Sequence, residues 1–119
     1  MNKNKANFWK IKVNDRKSNI NGTGLVGYVN CTYRELVKEL GEPDTDMDKS
    51  TAHWTVEAPN GTVATIYDYK NHTTPMGEYR WHIGGANSQA LLLVEFILGK
   101  PVLGEDKVRW NPYGGGNDQ

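Results

Sequence analysis

From Thr51 to Tyr69 the chain alternates with period two on either side of a Pro59-Asn60-Gly61 turn. Ala52, Trp54 and Val56 interleave with Thr51, His53, Thr55 and Glu57, and the stretch from Thr62 to Tyr69 is rich in β-branched and aromatic residues. Successive side chains of a strand point to opposite faces, so the pattern predicts a β-hairpin. With 119 residues, the chain has room for a real core but not for two full domains. We therefore expect a single domain over 1–119, ordered from about 8 to 110, with the Gly-rich residues 111–119 as a flexible tail.

A second signal fixes a short helix. Thr32 and Glu35 make the T-x-x-E capping box, in which each residue's side chain accepts a backbone N–H of the other. Tyr33, Leu36, Val37 and Leu40 follow at the spacing of one helical face, and Gly41 and Pro43 end the run. Trp9, Ile11 and Val13 alternate with lysines as a strand, and Leu25 to Val29 reads as its hairpin partner across a long polar connection with an Asn21-Gly22 turn.

After Lys70–Gly77, a short strand runs from Glu78 to Ile83 and breaks at Gly84-Gly85. Ser88 or Asn87 can cap a second helix, Ala90 to Leu98, apolar nearly all round and so expected to be the more buried of the two. Val102 to Trp110 leaves room for a short strand pair. The order β-β-α-β-β-β-α reads as an α+β fold, an antiparallel β-meander with two α-helices packed on one face.

Composition narrows the function classes. Apolar residues make up 37% and include four Trp and six Tyr, which predicts a small, aromatic core. Fourteen cationic side chains balance fourteen carboxylates, so the net charge gives no general attraction to nucleic acid or anionic membrane, and direct nucleic-acid binding is not expected. No stretch is long and apolar enough to span a membrane, and the first ten residues lack the apolar region of a secretory signal. With one cysteine, Cys31, no internal disulfide can form. These features point to a cytoplasmic protein.

Three constellations could carry chemistry. Asp44, Asp46 and Asp48 match the first ligands of a calcium loop, but Lys49 stands where that loop needs Gly and Thr55 where it needs Glu, so a solvated loop is the better reading. Cys31 lies at a helix start, where the helix dipole would lower a thiol pKa, yet no cysteine-based signature surrounds it and a buried filler is the better reading. The three His and one Cys lack zinc-ligand spacing. We therefore assign no catalytic residue, metal or cofactor.

The segment Tyr67 to Gly85 is the most informative. Tyr69, Tyr79 and Trp81 could stack on a base, Lys70, Arg80 and His82 could hold phosphate, Thr73 and Thr74 add hydroxyls, and Gly84 and Gly85 flank a helix start. Alternation opposes this in part. It puts Val63, Thr65, Tyr67 and Tyr69 on one face with Ala64, Ile66 and Asp68 behind, and Tyr79, Trp81 and Ile83 on one face with Arg80 and His82 opposite, so half of the aromatics must be core. P-loop and dinucleotide fingerprints are missing.

The strings GYVNCTYRELVKELGEP, DKSTAHWTVE, GTVATIYDYK and TPMGEYRWHIGG, covering about residues 24 to 98, resemble a group of small, uncharacterised bacteriophage-encoded accessory proteins. The resemblance implies a viral protein working in the cytoplasm of an infected bacterium, and it lends no catalytic residues. Our first expectation is a non-enzymatic anti-defence protein that sequesters a nucleotide-type signal, in a pocket that an oligomer interface could complete. The alternative is a protein–protein inhibitor of a host nuclease or defence effector, using the Glu42–Lys49 loop and hairpin edges. A nucleotide-acting enzyme with His82 as base and Asp68 or Glu78 in support ranks third.

Overall fold

The computed structural model describes residues 9–15, 17–45, 47 and 49–105. Six strands and two helices follow one another as β1 (Lys12–Val13), β2 (Gly24–Cys31), α1 (Tyr33–Leu40), β3 (His53–Glu57), β4 (Val63–Tyr67), β5 (Tyr79–Gly85), α2 (Gln89–Leu98) and β6 (Val102–Gly104). The strands form one sheet in the order β1-β3-β4-β5-β2-β6, and every neighbouring pair is antiparallel. The fold is α+β.

The meander is β3-β4-β5. Trp54 pairs with Ile66 and Ile66 with Ile83 across it, so the apolar members of all three strands stand on one face. That face is fully buried, and its residues join one core with Val29, Leu36, Leu40, Leu91, Val94 and Ile97, which places both helices against it. Trp54 and Trp81 meet edge to face at 5.6 Å, and Tyr33 and Tyr79 pack on them at 6.0 and 5.2 Å. Each buried indole has an acceptor: Trp54 Nε1 donates to the Gly41 carbonyl at 2.8 Å and Trp81 Nε1 to that of Cys31 at 3.2 Å.

The N-terminal hairpin does not form. β1 pairs with β3 (Val13 with Val56), whereas β2 pairs with β5 (Val29 with Trp81), so the two strands lie on opposite sides of the meander. The ten-residue polar connection imposes no tight turn, and β2 pairs along its length with β5, from Gly24 opposite Gly85 to Cys31 opposite Tyr79. Of the C-terminal strand pair, Val102–Gly104 forms an edge strand on β2, and residues 106–110 lie outside the described residues, as does the tail 111–119.

Both halves of the capping box are present in α1: Glu35 N donates to Thr32 Oγ1 at 3.2 Å and Thr32 N to Glu35 Oε1 at 2.8 Å. Gly41 ends the helix at φ 84°, in the left-handed region that glycine enters without a Cβ clash. α2 buries Ala90, Leu91, Leu93, Val94 and Ile97 but turns Leu92 and Phe96 outward. It sits so close to β5 that a Cβ on Gly85 would collide with the Ala90 side chain. No helix among the described residues is long and apolar enough to cross a membrane.

Candidate functional site

The face of the sheet opposite the helices carries the alternate residues: His53 and Thr55 of β3, Thr65 and Tyr67 of β4, His82 and Gly84 of β5, and Tyr28 of β2. Three loops rise around them and enclose a cavity of about 500 Å³. Its floor is Thr55, Thr65 and Gly84, its walls include His53, Tyr67 and Tyr69, and its mouth is ringed by exposed Ile20 and Met47. Gly84 keeps the floor flat, because a Cβ there would meet Thr65 Oγ1. The lining combines apolar and aromatic side chains with the hydroxyls of Thr23, Ser50, Thr55 and Thr65.

A second cleft of about 300 Å³ opens where the first ends, sharing Lys49 and Ser50 with it and adding Thr51, Lys70, Asn71 and His72. Two lysines line it, with no carboxylate in the described lining. Their positions are set by Asp68, which is fully buried and accepts from Thr51 N at 2.7 Å, Thr51 Oγ1 at 2.6 Å, Ala52 N at 3.1 Å and Asn71 Nδ2 at 3.0 Å. Burial pushes this carboxyl upward, but the hydrogen bonds from Thr51, Asn71 and Ala52 outweigh it and hold the group below its ordinary range. Lys70 N donates to the Lys49 carbonyl at 2.8 Å, which joins the two loops directly. At the junction of the two cavities, Ser50 Oγ is a buried hydroxyl without a hydrogen-bond partner among the described residues.

Beside the cavity, His82 is half-buried in a cluster of tyrosines, with ring centroids at 5.2 Å (Tyr28), 5.3 Å (Tyr67) and 5.7 Å (Tyr69). Burial lowers its imidazole below the ordinary value, against an opposing pull from the Asp68 charge. The ring is therefore neutral at pH 7, and its buried Nδ1 has no partner among the described residues. Arg80 lies over Tyr28 at 5.1 Å and Lys70 Nζ over Tyr69 at 5.3 Å.

Neither a protein-family model, nor a curated protein, nor a solved structure matches the chain.

The residues singled out in the sequence separate into two groups. Tyr69 and Gly84 line the aromatic cavity, Lys70 lines the cationic cleft, and His82 and Arg80 share the open face with them. Thr74 reaches the cleft indirectly, donating to Thr51 Oγ1 at 2.8 Å, and Thr73 is exposed on the same loop. Trp81, Tyr79 and Gly85 fall on the helix face: Trp81 is fully buried, Tyr79 packs on it, and Gly85 meets α2. Stacking a base on Trp81 would require opening the core. Of these three, Tyr79 alone reaches toward the site, its hydroxyl accepting from Tyr69 N at 3.3 Å.

Besides Ile20, Thr23, Gly24 and Met47, the aromatic cavity is also lined by Lys49, Ser50, His53, Thr55, Thr65 and Tyr67. Alternation around Trp54 and Ile66 carried the signal for four of them. Nothing local marked Lys49 and Ser50, which arrive through the Asp68 hydrogen bonds to their neighbours.

Asp44 exchanges backbone hydrogen bonds with His53 at 2.9 Å, while Asp46 and Asp48 lie outside the described residues. Cys31 is fully buried, and burial, reinforced by the Glu35 charge, pushes its thiol up to about 12. Desolvation overrides the helix dipole, and the thiol is not acidified.

Proposed function

We propose that the open face binds a nucleotide-type small molecule, with its base in the aromatic cavity and its phosphate in the cationic cleft. The observation that carries the reading is the junction of the two cavities at Lys49 and Ser50. An apolar, aromatic compartment meets a pair of lysines there across a hydroxyl without a partner among the described residues, which is the chemical order of a base, a sugar and a phosphate. Binding of this kind needs no general base, and the neutral His82 packs behind the site against Tyr67 and Tyr69, which line it. Together with the resemblance to phage accessory proteins, the reading makes the protein a sponge that withdraws a nucleotide signal from a bacterial host.

Native mass spectrometry of the protein purified from bacterial lysate, followed by heat release of whatever it carries, tests this. We expect an intact nucleotide at fixed stoichiometry, absent from the Lys49→Ala/Lys70→Ala double variant although that variant keeps its melting temperature. A host protein captured equally by wild type and variant would overturn the reading in favour of the protein–protein inhibitor.

A further inference from the structure

The aromatic cavity does not use all of the rings on the open face. Strand pairing sets a row across the sheet, with His53 opposite Tyr67, Tyr67 opposite His82, His82 opposite Tyr28, and Tyr28 opposite Leu103 on the edge strand β6. His53 and Tyr67 line the cavity, whereas His82 and Tyr28 stand outside its lining. Tyr69, which follows Tyr67 on the same face, is 43% exposed and stands 5.7 Å from His82, which in turn stands 5.2 Å from Tyr28. His82 and Tyr28 are themselves only half-buried. These three rings continue the aromatic surface beyond the cavity.

A cation marks each end of that surface. Lys70 Nζ lies 5.3 Å over the Tyr69 ring and Arg80 Cζ 5.1 Å over the Tyr28 ring, and both residues are exposed. Neither side chain has an ion pair or a hydrogen bond among the described residues. Contact with a ring holds a cation in place without cancelling its charge, so both heads remain available to an anion. The Lys70 end is continuous with the cationic cleft that Lys49 shares. The Arg80 end is separate from it, with His82 between, and a guanidinium is suited to paired hydrogen bonds with a phosphate.

The surface is also short. A binder of long single strands carries a basic groove that tracks the backbone, but here the row ends on β6, where Val102, Leu103 and Gly104 supply no cation. Beyond the cavity there is ring surface for one more base and a cation for one more phosphate.

Resting on the nucleotide reading above, we propose that the ligand is a dinucleotide with a 5′-terminal phosphate. Its 3′ nucleotide sits as a mononucleotide would, with the base in the aromatic cavity and the linking phosphodiester at Lys49 and Lys70. The 5′ base stacks on the surface of Tyr69, His82 and Tyr28, and Arg80 takes the terminal phosphate.

Calorimetric titration of the full chain with adenosine 5′-monophosphate, the dinucleotide pApA and its dephosphorylated form ApA tests the assignment. We expect pApA to bind at least about tenfold tighter than the mononucleotide, the worth of one stacked base, with ApA between them. Arg80→Ala should bring pApA down to the level of ApA while the other two ligands and the melting temperature stay unchanged. Tyr28→Leu, which keeps apolar bulk and removes the ring, should weaken both dinucleotides and spare the mononucleotide. Equal binding of pApA and the mononucleotide, or a gain that survives both substitutions, would overturn the second subsite and leave the nucleotide reading standing. A tetranucleotide that binds a further tenfold tighter would overturn the two-nucleotide limit in favour of a longer single strand. Failure of all these ligands to bind would overturn both proposals.

Discussion

Lys70 combines two roles that a substitution can separate. Its backbone sits at φ 59°, in the left-handed region, where a Cβ costs about 1–2 kcal/mol, and it lines the cationic cleft with its ammonium 5.3 Å over the Tyr69 ring. Lys70→Gly removes the charge and the backbone strain together, the strain relief being offset in part by the greater freedom of glycine in the unfolded chain. The expected outcome is a stability within about 1 kcal/mol of wild type by urea unfolding, with nucleotide affinity reduced as far as in Lys70→Ala. A large loss of stability would instead make Lys70 part of the scaffold. Lys70 was legible in the sequence as a cation beside tyrosines, and His82 and Arg80 as the polar members of an alternating strand. Lys49 was not, because its place in the site depends on Asp68, nearly twenty residues on, accepting from Thr51 and Ala52. No local pattern announces a bond of that sequence separation.

Elements were readable to the extent that their causes are local. The capping box of α1, its apolar face and its closing glycine all act within ten residues, and all three are present in the structure. Thr32→Ala should therefore cost about 1 kcal/mol, measured as a lowered urea midpoint. Because the Trp54 indole donates to the Gly41 carbonyl at the far end of the helix, that end stays docked and the open face, built on the other side of the sheet, should retain its ligand affinity. Parallel losses of stability and affinity would show that α1 shapes the site. The partner of a strand is a different kind of information. β1 and β2 carry the alternation of strands, but alternation says which face is buried and not which edge is taken, so the expected hairpin gave way to pairing with β3 and β5. The same limit applies to α2, whose nearly uniform apolar surface did not reveal that Leu92 and Phe96 face outward.

At the scale of the whole molecule the sheet divides two chemistries. One face holds the Trp54–Trp81 core under the helices, and the other holds tyrosines, His82 and the cavities. Two titrating groups tie folding to this arrangement, and they act with the same sign. His82 is held below its ordinary value of 6.5 by burial, so the unfolded chain binds its proton first. Asp68 is held below its ordinary 3.8 because its hydrogen bonds outweigh burial, so here too the unfolded chain is protonated before the folded one. In both cases acid favours unfolding. Stability should be level through neutrality, decline in a first step as pH falls from about 6.5 toward the folded value of His82, and decline again below 3.8. His82→Phe preserves an aromatic ring against Tyr28, Tyr67 and Tyr69 while removing the proton site. Urea unfolding of this variant across the acid range should therefore lack the first step and keep the second. A first step that survives the substitution would assign it to another group and would mean that packing against Tyr28, Tyr67 and Tyr69 does not hold the His82 imidazole neutral.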